Sequence, residues 1–451
     1  MFKKILIANR GEIAVRILRA CQEMRIRTVA VHSTADSGSL HVRLADEAVC
    51  IGPPPNKDSY LHAPNIIAAA NITGAEAIHP GYGYLSEQAS FAEACEACHL
   101  AFIGPTSTAI EQMGHKARAR ALARSARVPV IPGSDGTVAN ETEAARVAAR
   151  IGLPVYIKAV AGGGGTGIRR VDDADELPRA LQMARSEAES AFGNPEVYVE
   201  KLIEEPRHIE AQVLADAHGH AVHLGLRECS VQNPRHKKLV EEAPASEIPA
   251  GLASRIAEAA VRLARAVSYR NAGTVEFLVD RRDQFYFLEM NTRLQVEHPV
   301  TECITGIDVV QEQIRIAAGE PLAVGQKEIR FLGHAIECRL TAEDPRRRYA
   351  PSAGRVEAMR FPGGPGVRVD SHVFPGYDVP PYYDPMLAKL VVWAPTRAQA
   401  IARMARCLGE TEITGLATNL ELHVRIMANP FYRRGDVSTD FLARHILNNG
   451  D

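Results

Sequence analysis

The sequence has no apolar run approaching the roughly 20 residues that a membrane-spanning helix needs. Its N-terminal apolar stretch, Ile5-Leu6-Ile7-Ala8, is too short for a secretory signal. A cytoplasmic chain with no membrane partner is expected. Neither charge sign is in excess: 52 Lys and Arg face 54 Asp and Glu, a formal balance of -2. No broad field draws the chain to nucleic acid, so its ligands must be recognised locally. The eight cysteines show no disulfide framework and read as buried thiols of a reducing compartment. One run, Cys95 to His99, matches the haem-attachment pattern C-x-x-C-H, but it sits in an amphipathic helix without a second ligand pair and reads as chance. Internal repeats and low-complexity tails are missing. So is G-x-x-x-x-G-K-[ST], which excludes an ordinary P-loop. The first strand-to-helix turn, "ANRGEI", has one glycine and therefore lacks the dinucleotide fingerprint.

What is present is a chain of 451 residues, 46% apolar and 24% charged, enough for two or three domains. Strands "KILIA", "TVAVHS", "AEAIHP" and "AFIG" alternate with helices, the last a long one from about Thr106 to Ala126. That order predicts a doubly wound parallel α/β sheet over residues 1–130. "VPVIPGSDG" then punctuates the chain with two prolines and two glycines. Residues 131–203 read as a small α+β module, with helix 141–151, strand "PVYIKAV", a glycine run, strand "GIRRV", a helix near 174–190 and strand "EVYVEKLI". Residues 204–446 form a larger mixed α+β region, including a helix near 251–267 and the strands "TVEFLVD" and "QFYFLEMN".

Three stretches carry chemistry. "GGGGTG", Gly162 to Gly167, lies between two predicted strands, where free backbone N-H groups can cover phosphates with Lys158 as a supporting cation; the alternative is a merely flexible loop. "TVEFLVDRRDQFYFLEMN" reads as a hairpin. If its turn centres on Arg282-Asp283, strict antiparallel pairing sets Glu276 opposite Glu289, on the face that also carries Asn291. Two carboxylates about 5 Å apart repel by roughly 3 kcal/mol at an effective dielectric near 20, which a divalent cation would offset. The third stretch, "EMNTRLQVEHP", continues the row: in an extended chain Arg293, Gln295 and Glu297 follow on the same face, a guanidinium for an oxyanion and a carboxylate for a general base. The bland alternatives are an acid pair neutralised by Arg281 and Arg282 and a polar strand edge. Two short basic runs, "PRHIE" and "RHKKLVEE", read by themselves as solvated. "HPGYGYLSE", 79–87, is a strand end followed by a glycine-bearing loop, a usual ligand position in an open α/β sheet.

Together with "KILIANRGEIAVRILRAC", "EEAPA", "GHAIECRLTAEDP" and "PPYYDPMLAKL", these stretches resemble biotin carboxylase, the ATP-grasp component of bacterial acetyl-CoA carboxylase-type enzymes, over nearly the whole chain. The resemblance implies an ATP-grasp fold in which a mobile lid closes over a body between N-terminal and C-terminal domains. It implies ATP held by Lys116, Lys158, Glu200, Lys201, Leu202, His208, Gln232, His236, Leu288 and the loop glycines Gly163, Gly164 and Gly165. Mg²⁺ or Mn²⁺, two ions, would be held by Glu276, Glu289 and Asn291. By the same resemblance Arg293, Gln295, Val296 and Lys238 hold bicarbonate, and Glu297 deprotonates it. Arg339, with Tyr82 nearby, would stabilise the biotin enolate. The chain departs from the family pattern at Ala161 and Thr166 flanking four glycines, at "NPRHKK", with the extra Pro234 and with Lys237 in place of Gln, and at His115, where Asp is usual. Arg16, Arg19 and Glu23 match homodimer positions, whereas Pro365 replaces an aromatic there. No biotin-attachment sequence is present, so a separate biotin carboxyl carrier protein and carboxyltransferase subunits are the expected partners. The rival readings are another ATP-grasp ligase, such as a purine-pathway carboxylase, and a nucleotide-binding assembly subunit.

Overall fold

In the computed structural model, which describes residues 1–160 and 167–447, the first strand, Lys4–Ile7, sits at the centre of a five-stranded parallel sheet. The spatial order is Glu47–Gly52, Arg27–Ser33, Lys4–Ile7, Ala77–His79, Ala101–Phe102. Ile5 and Ile7 pack with Ile13 and Ile17 of helix Gly11–Glu23, while Leu6 packs with Ile66 and Phe91 on the other face. Coverage on both faces is why this strand reads as a continuous apolar run. The edge strand Glu47–Gly52 is absent from the sequence reading because its half-exposed residues alternate too weakly to separate it from a loop. Cys95 lies in this same core rather than at a surface, and all eight cysteines are free thiols. After Ala77–His79 the chain turns sharply at Gly81, whose φ is +63° and where a Cβ would lie 2.9 Å from Asn9 Nδ2. Asn9 Nδ2 donates to the carbonyls of Pro80 and Tyr82 at 2.7 and 2.8 Å, fixing the loop that carries Tyr82.

The predicted helix 106–126 is two helices, Ser107–Gly114 and Lys116–Ser125. His115 separates them with an extended backbone, and its Nδ1 accepts from Arg118 N at 3.4 Å, capping the second helix. The His that replaces Asp thus keeps an acceptor at the cap and sets Lys116 at the helix start.

Three antiparallel strands in the order Ile168–Val171, Val155–Ala159, Val197–Lys201 form a small sheet. Helices Glu141–Ile151 and Leu177–Phe192 bury Val147, Ala184 and Leu181 against Ile157 and Val199. Eight further strands make one sheet, ordered Phe285–Asn291, Asn271–Val279, Arg207–Ala215, Ala221–Gln232, Lys238–Ala243, His334–Thr341, Met386–Ala394, Val367–Ser371, and the other described strands form three two-stranded pairs. Helices Ala250–Ala266 and Lys116–Ser125 cover Val213, Val275, Phe277 and Phe287 on one face. The opposite face carries buried polar groups, Glu210, Gln212, Arg227 and Glu276 among them. Among the described residues no helix is long and apolar enough to cross a membrane.

Candidate active site

The functional hairpin begins with a register different from the predicted one. Val279 pairs with Phe285, so the turn centres on Arg282 rather than between Arg282 and Asp283. Strict pairing from that turn would set Glu276 opposite Leu288. A bulge intervenes: Phe277 pairs with Phe287, but Glu276 pairs with Glu289 and Thr274 with Asn291. The extra residue places Leu288 and Glu289, successive in sequence, on the same cleft, while Phe287 and Met290 stay in the core. The Glu276–Glu289 opposition is therefore present through a bulge, not through strict alternation.

The extended row also stops early. The strand ends at Asn291, and residues 292–297 turn into helix His298–Thr305. Glu87 causes the departure: its Oε1 accepts from Thr292 N at 3.0 Å, taking a backbone donor that a continuing strand would give to a neighbour. Glu87 Oε2 also accepts from Arg293 Nε at 2.7 Å. The turn brings Gln295 and Glu297 back over the sheet.

A cleft of about 1200 Å³ lies between the three-stranded sheet and the polar face of the large one. Lys158, Glu200, Lys201 and Leu202 line it from one side; His208, Gln232, His236, Lys238, Glu276, Leu288, Glu289 and Asn291 line it from the other. Arg293, Gln295, Val296, Glu297 and Arg339 close its inner end. Two expected residues do not line it. Lys116 starts its helix outside the lining, though its charge acts on the Glu289 carboxyl. Tyr82 is engaged with Glu12, within reach of the Arg339 charge. Gly163, Gly164 and Gly165 lie outside the described residues. The short runs that read as solvated are not so throughout: His208, Glu210, Glu241 and Glu242 are buried.

At the inner end Glu297 is buried between two cations. Lys238 Nζ lies 2.9 Å from its Oε1, and Arg339 Nη2 lies 2.8 Å from its Oε2. Burial pushes the Glu297 carboxyl up, but Lys238, Arg339 and Arg227 together outweigh it and hold it well below the usual carboxylate range. Lys238 also contacts Glu210, and Glu276 Oε1 at 3.0 Å. Fully buried Arg227 reaches Gln295 Oε1 at 2.5 Å, Thr274 Oγ1 at 3.0 Å and Gln212 Oε1 at 2.8 Å. Gln295 Nε2 donates to Glu276 Oε1 at 2.7 Å. Each potential ligand group is thereby oriented by a second one. At the outer end Glu200 joins Lys158, 2.5 Å away, to Arg120, and Lys201 Nζ donates to Leu153 O at 2.8 Å.

The donor set at the hairpin fits a hard cation. Glu276 and Glu289 are carboxylates in direct opposition, with the Asn291 amide beside them. Among the described residues the Glu289 side chain has no hydrogen bond or ion pair, though the residue's backbone belongs to the hairpin ladder. That side chain stays accessible from the cleft, where partial desolvation first, then the Glu276 charge, raises its carboxyl. A second cluster, His208, Glu210 and Glu276, has ligand atoms within 4.8 Å of one another. Lys238 already serves there as the cation, in contact with both carboxylates.

Glu210, Arg227, Glu241 and Glu87 were not singled out from sequence. Glu210 had a signal: His208, Glu210 and Gln212 alternate on one strand face as Glu276 and Glu289 do on theirs. Arg227 had none, since its five partners come from four separate segments.

Known proteins resemble the chain over nearly its whole length. A family model described as the biotin carboxylase N-terminal domain matches residues 1–110. The carbamoyl-phosphate synthase L chain ATP-binding domain matches residues 115–324, and the biotin carboxylase C-terminal domain matches 337–444. The chain is 57% identical over 441 residues to a biotin carboxylase of Nostoc sp., covering 98% of each. It is 53% identical over 451 residues to a biotin carboxylase of Haemophilus influenzae, covering 99% of each. The crystal structure of the biotin carboxylase domain dimer of Hydrogenobacter thermophilus 2-oxoglutarate carboxylase, in complex with MgADP, ADP and bicarbonate, superposes with a TM-score of 0.92 at 48% identity. That match covers 99% of this chain and 98% of the other.

Proposed function

Because the chain belongs to the biotin carboxylase family, we propose that its cleft carries out, residue by residue, the reaction of that family. The protein is an ATP-grasp ligase that carboxylates biotin with bicarbonate at the expense of ATP. The observation that carries the residue assignment is Glu297, a carboxylate gripped by Lys238 and Arg339 directly beside the Glu276–Glu289 pair.

Lys158, Glu200, Lys201, Leu202, His208, Gln232, His236 and Leu288 surround ATP in this reading, with Lys116 and Gly163, Gly164 and Gly165 toward its phosphates. Glu276, Glu289 and Asn291 would hold Mg²⁺ or Mn²⁺, which would supply charge neutralisation to the phosphates. Arg293, Lys238, Gln295 and the Val296 backbone receive bicarbonate. When the anion takes over the donors on Glu297, that carboxylate loses part of the field that depresses its proton affinity. Glu297 thus becomes a competent base only with substrate present, and it takes the bicarbonate proton. The freed oxygen attacks the γ-phosphorus, the bond to ADP breaks, and carboxyphosphate forms. Carboxyphosphate divides into CO₂ and phosphate, the phosphate removes the N1′ proton of biotin, and the N1′ nitrogen attacks CO₂. Arg339, with Tyr82 near it, stabilises the enolate meanwhile. A closed cleft keeps the labile intermediate from water.

We assign residues 1–130 to the N-terminal domain, 131–203 to the lid and 204–446 to the body and C-terminal domain. The continuous sheet whose strands run from Arg207 to Ala394 supports treating the last as one unit. Biotin arrives on a separate carrier protein, carboxyltransferase subunits consume the product, and the setting is cytoplasmic. A homodimer is proposed as well; Arg16, one of its expected contacts, is buried on Glu302 at 2.9 Å and Asp308 at 2.7 Å within the chain, so it would act through those groups. The test is transfer of label from bicarbonate to a biotinylated carrier with MgATP. Label on the carrier is expected, and its absence with intact MgATP binding contradicts the assignment.

A further inference from the structure

Beneath the catalytic turn lies a layer of buried charge that the mechanism above does not use. Glu241 and Glu337 stand directly opposite each other on adjacent antiparallel strands, and both are fully buried. Glu241 commits one oxygen to Arg339: Oε1 accepts from Nε at 2.6 Å and lies 2.5 Å from Nη2. The same guanidinium reaches Glu297 Oε2 through Nη2 at 2.8 Å. Glu241 therefore fixes the plane in which Arg339 meets the catalytic carboxylate.

Three oxygens are left over. Glu241 Oε2 and both oxygens of Glu337 have no donor among the described residues. Two ionised carboxylates held in cross-strand register repel, and buried unpaired charge is costly. The cations facing the pair are engaged elsewhere. Lys389, opposite Arg339 on the next strand, lies 3.1 Å from Glu12 Oε2 and donates to Val296 O at 2.9 Å. Lys238 is held by Glu210, Glu276 and Glu297. The overlying helix His298–Thr305 brings the Cys303 thiol toward Glu337 and adds no cation to it.

We propose that Glu337 is kept as the neutral acid and donates its proton to Glu241 Oε2, so that the pair carries a single negative charge and acts as the positioning element for Arg339. Burial pushes the Glu337 carboxyl well up, with Lys389 opposing and Glu241 reinforcing, in keeping with this state. The consequence for turnover rests on the carboxylation reading of the cleft; the location of the proton does not.

Infrared spectroscopy of the full chain at pH 8 separates the two. A protonated-carboxyl C=O stretch is expected in the unsubstituted protein, lost in Glu337→Gln and retained in Glu241→Gln. Kinetically, Glu241→Gln is expected to lower kcat for biotin carboxylation by about tenfold or more with the KM for ATP within about twofold. Glu337→Gln keeps an N-H donor toward Glu241 and is expected to stay within about threefold of the original kcat. An unchanged carboxyl band in Glu337→Gln, or full biotin turnover by Glu241→Gln, overturns the proposal. Were the unsubstituted protein itself inactive on biotin, the functional reading would fail while the infrared result still decided the proton.

Discussion

Glu297 is a base whose own surroundings suppress its basicity. Lys238 is the first cation that counters its burial, ahead of Arg339 and Arg227. Lys238→Gln removes it and leaves Glu210, Glu276 and Glu297 sharing the remaining cations. The sign follows directly: with the depressing charge gone, the Glu297 pKa rises, and the acid limb of the kcat/KM profile moves to higher pH. Turnover is expected to fall by roughly 10²–10³, since an anion-positioning donor is lost as well. A pH profile measured on both proteins checks this, and an unmoved acid limb contradicts it. At this scale the sequence was informative where acid, amide and base recur at every second position, as in Glu289, Asn291 and Arg293. It was silent on Glu241 and Arg227, because a single acid or base in an apolar strand shows no partner until strands far apart in sequence are paired.

The hairpin Asn271–Val279 with Phe285–Asn291 is built for function against its own stability. It sets two carboxylates in register, and the Glu289 side chain has no hydrogen bond or ion pair among the described residues. Glu289→Gln removes one of the like charges. Repulsion of about 3 kcal/mol at an effective dielectric near 20 is an upper bound for a bare pair. Because the Glu289 side chain is exposed and Glu276 already lies against Lys238 and His208, a gain of about 0.5 kcal/mol is expected without metal. The same variant is expected to lose most of the thermal shift that MgATP confers. Thermal unfolding with and without MgATP measures both; a variant less stable than the original in the absence of metal contradicts the argument. The sequence pattern reached the Glu276–Glu289 opposition but not its cause. A half-residue error in the turn and an unseen bulge at Leu288 offset each other, because neither the turn residue Asp283, with φ of +57°, nor the bulge leaves a periodic mark. The early end of the strand at Asn291 was likewise hidden, since it depends on Glu87 from the N-terminal domain.

Across the whole molecule the core holds histidines that burial keeps neutral. His41 and His423 are pushed down to about 4, and His79 and His372 to about 3. Their folded values lie below the unfolded value near 6.5, so the unfolded chain takes up protons first as the pH falls. Stability from this source is complete above about pH 6.5 and is lost on acidification, by about 1.4 kcal/mol per histidine per pH unit, until the folded values are reached. His423 sits behind the site, 2.8 Å from Arg339 O. Denaturation between pH 7.5 and 5.5 is expected to show falling stability, and His423→Gln to flatten the fall; a pH-independent midpoint contradicts this. The alternation of strand and helix was legible over the first 130 residues. The eight-stranded sheet was not, because its order joins Lys238–Ala243 to His334–Thr341 across about ninety residues, a pairing that local patterns do not encode.

The central claim is that one cleft couples ATP cleavage to bicarbonate and biotin through Glu297. The most direct measurement is ADP release by the purified chain with MgATP, bicarbonate and free biotin, each omitted in turn, beside Glu297→Gln. The account predicts ADP release that requires both bicarbonate and biotin and disappears in the variant. ADP release indifferent to biotin, or undiminished in Glu297→Gln, would contradict it.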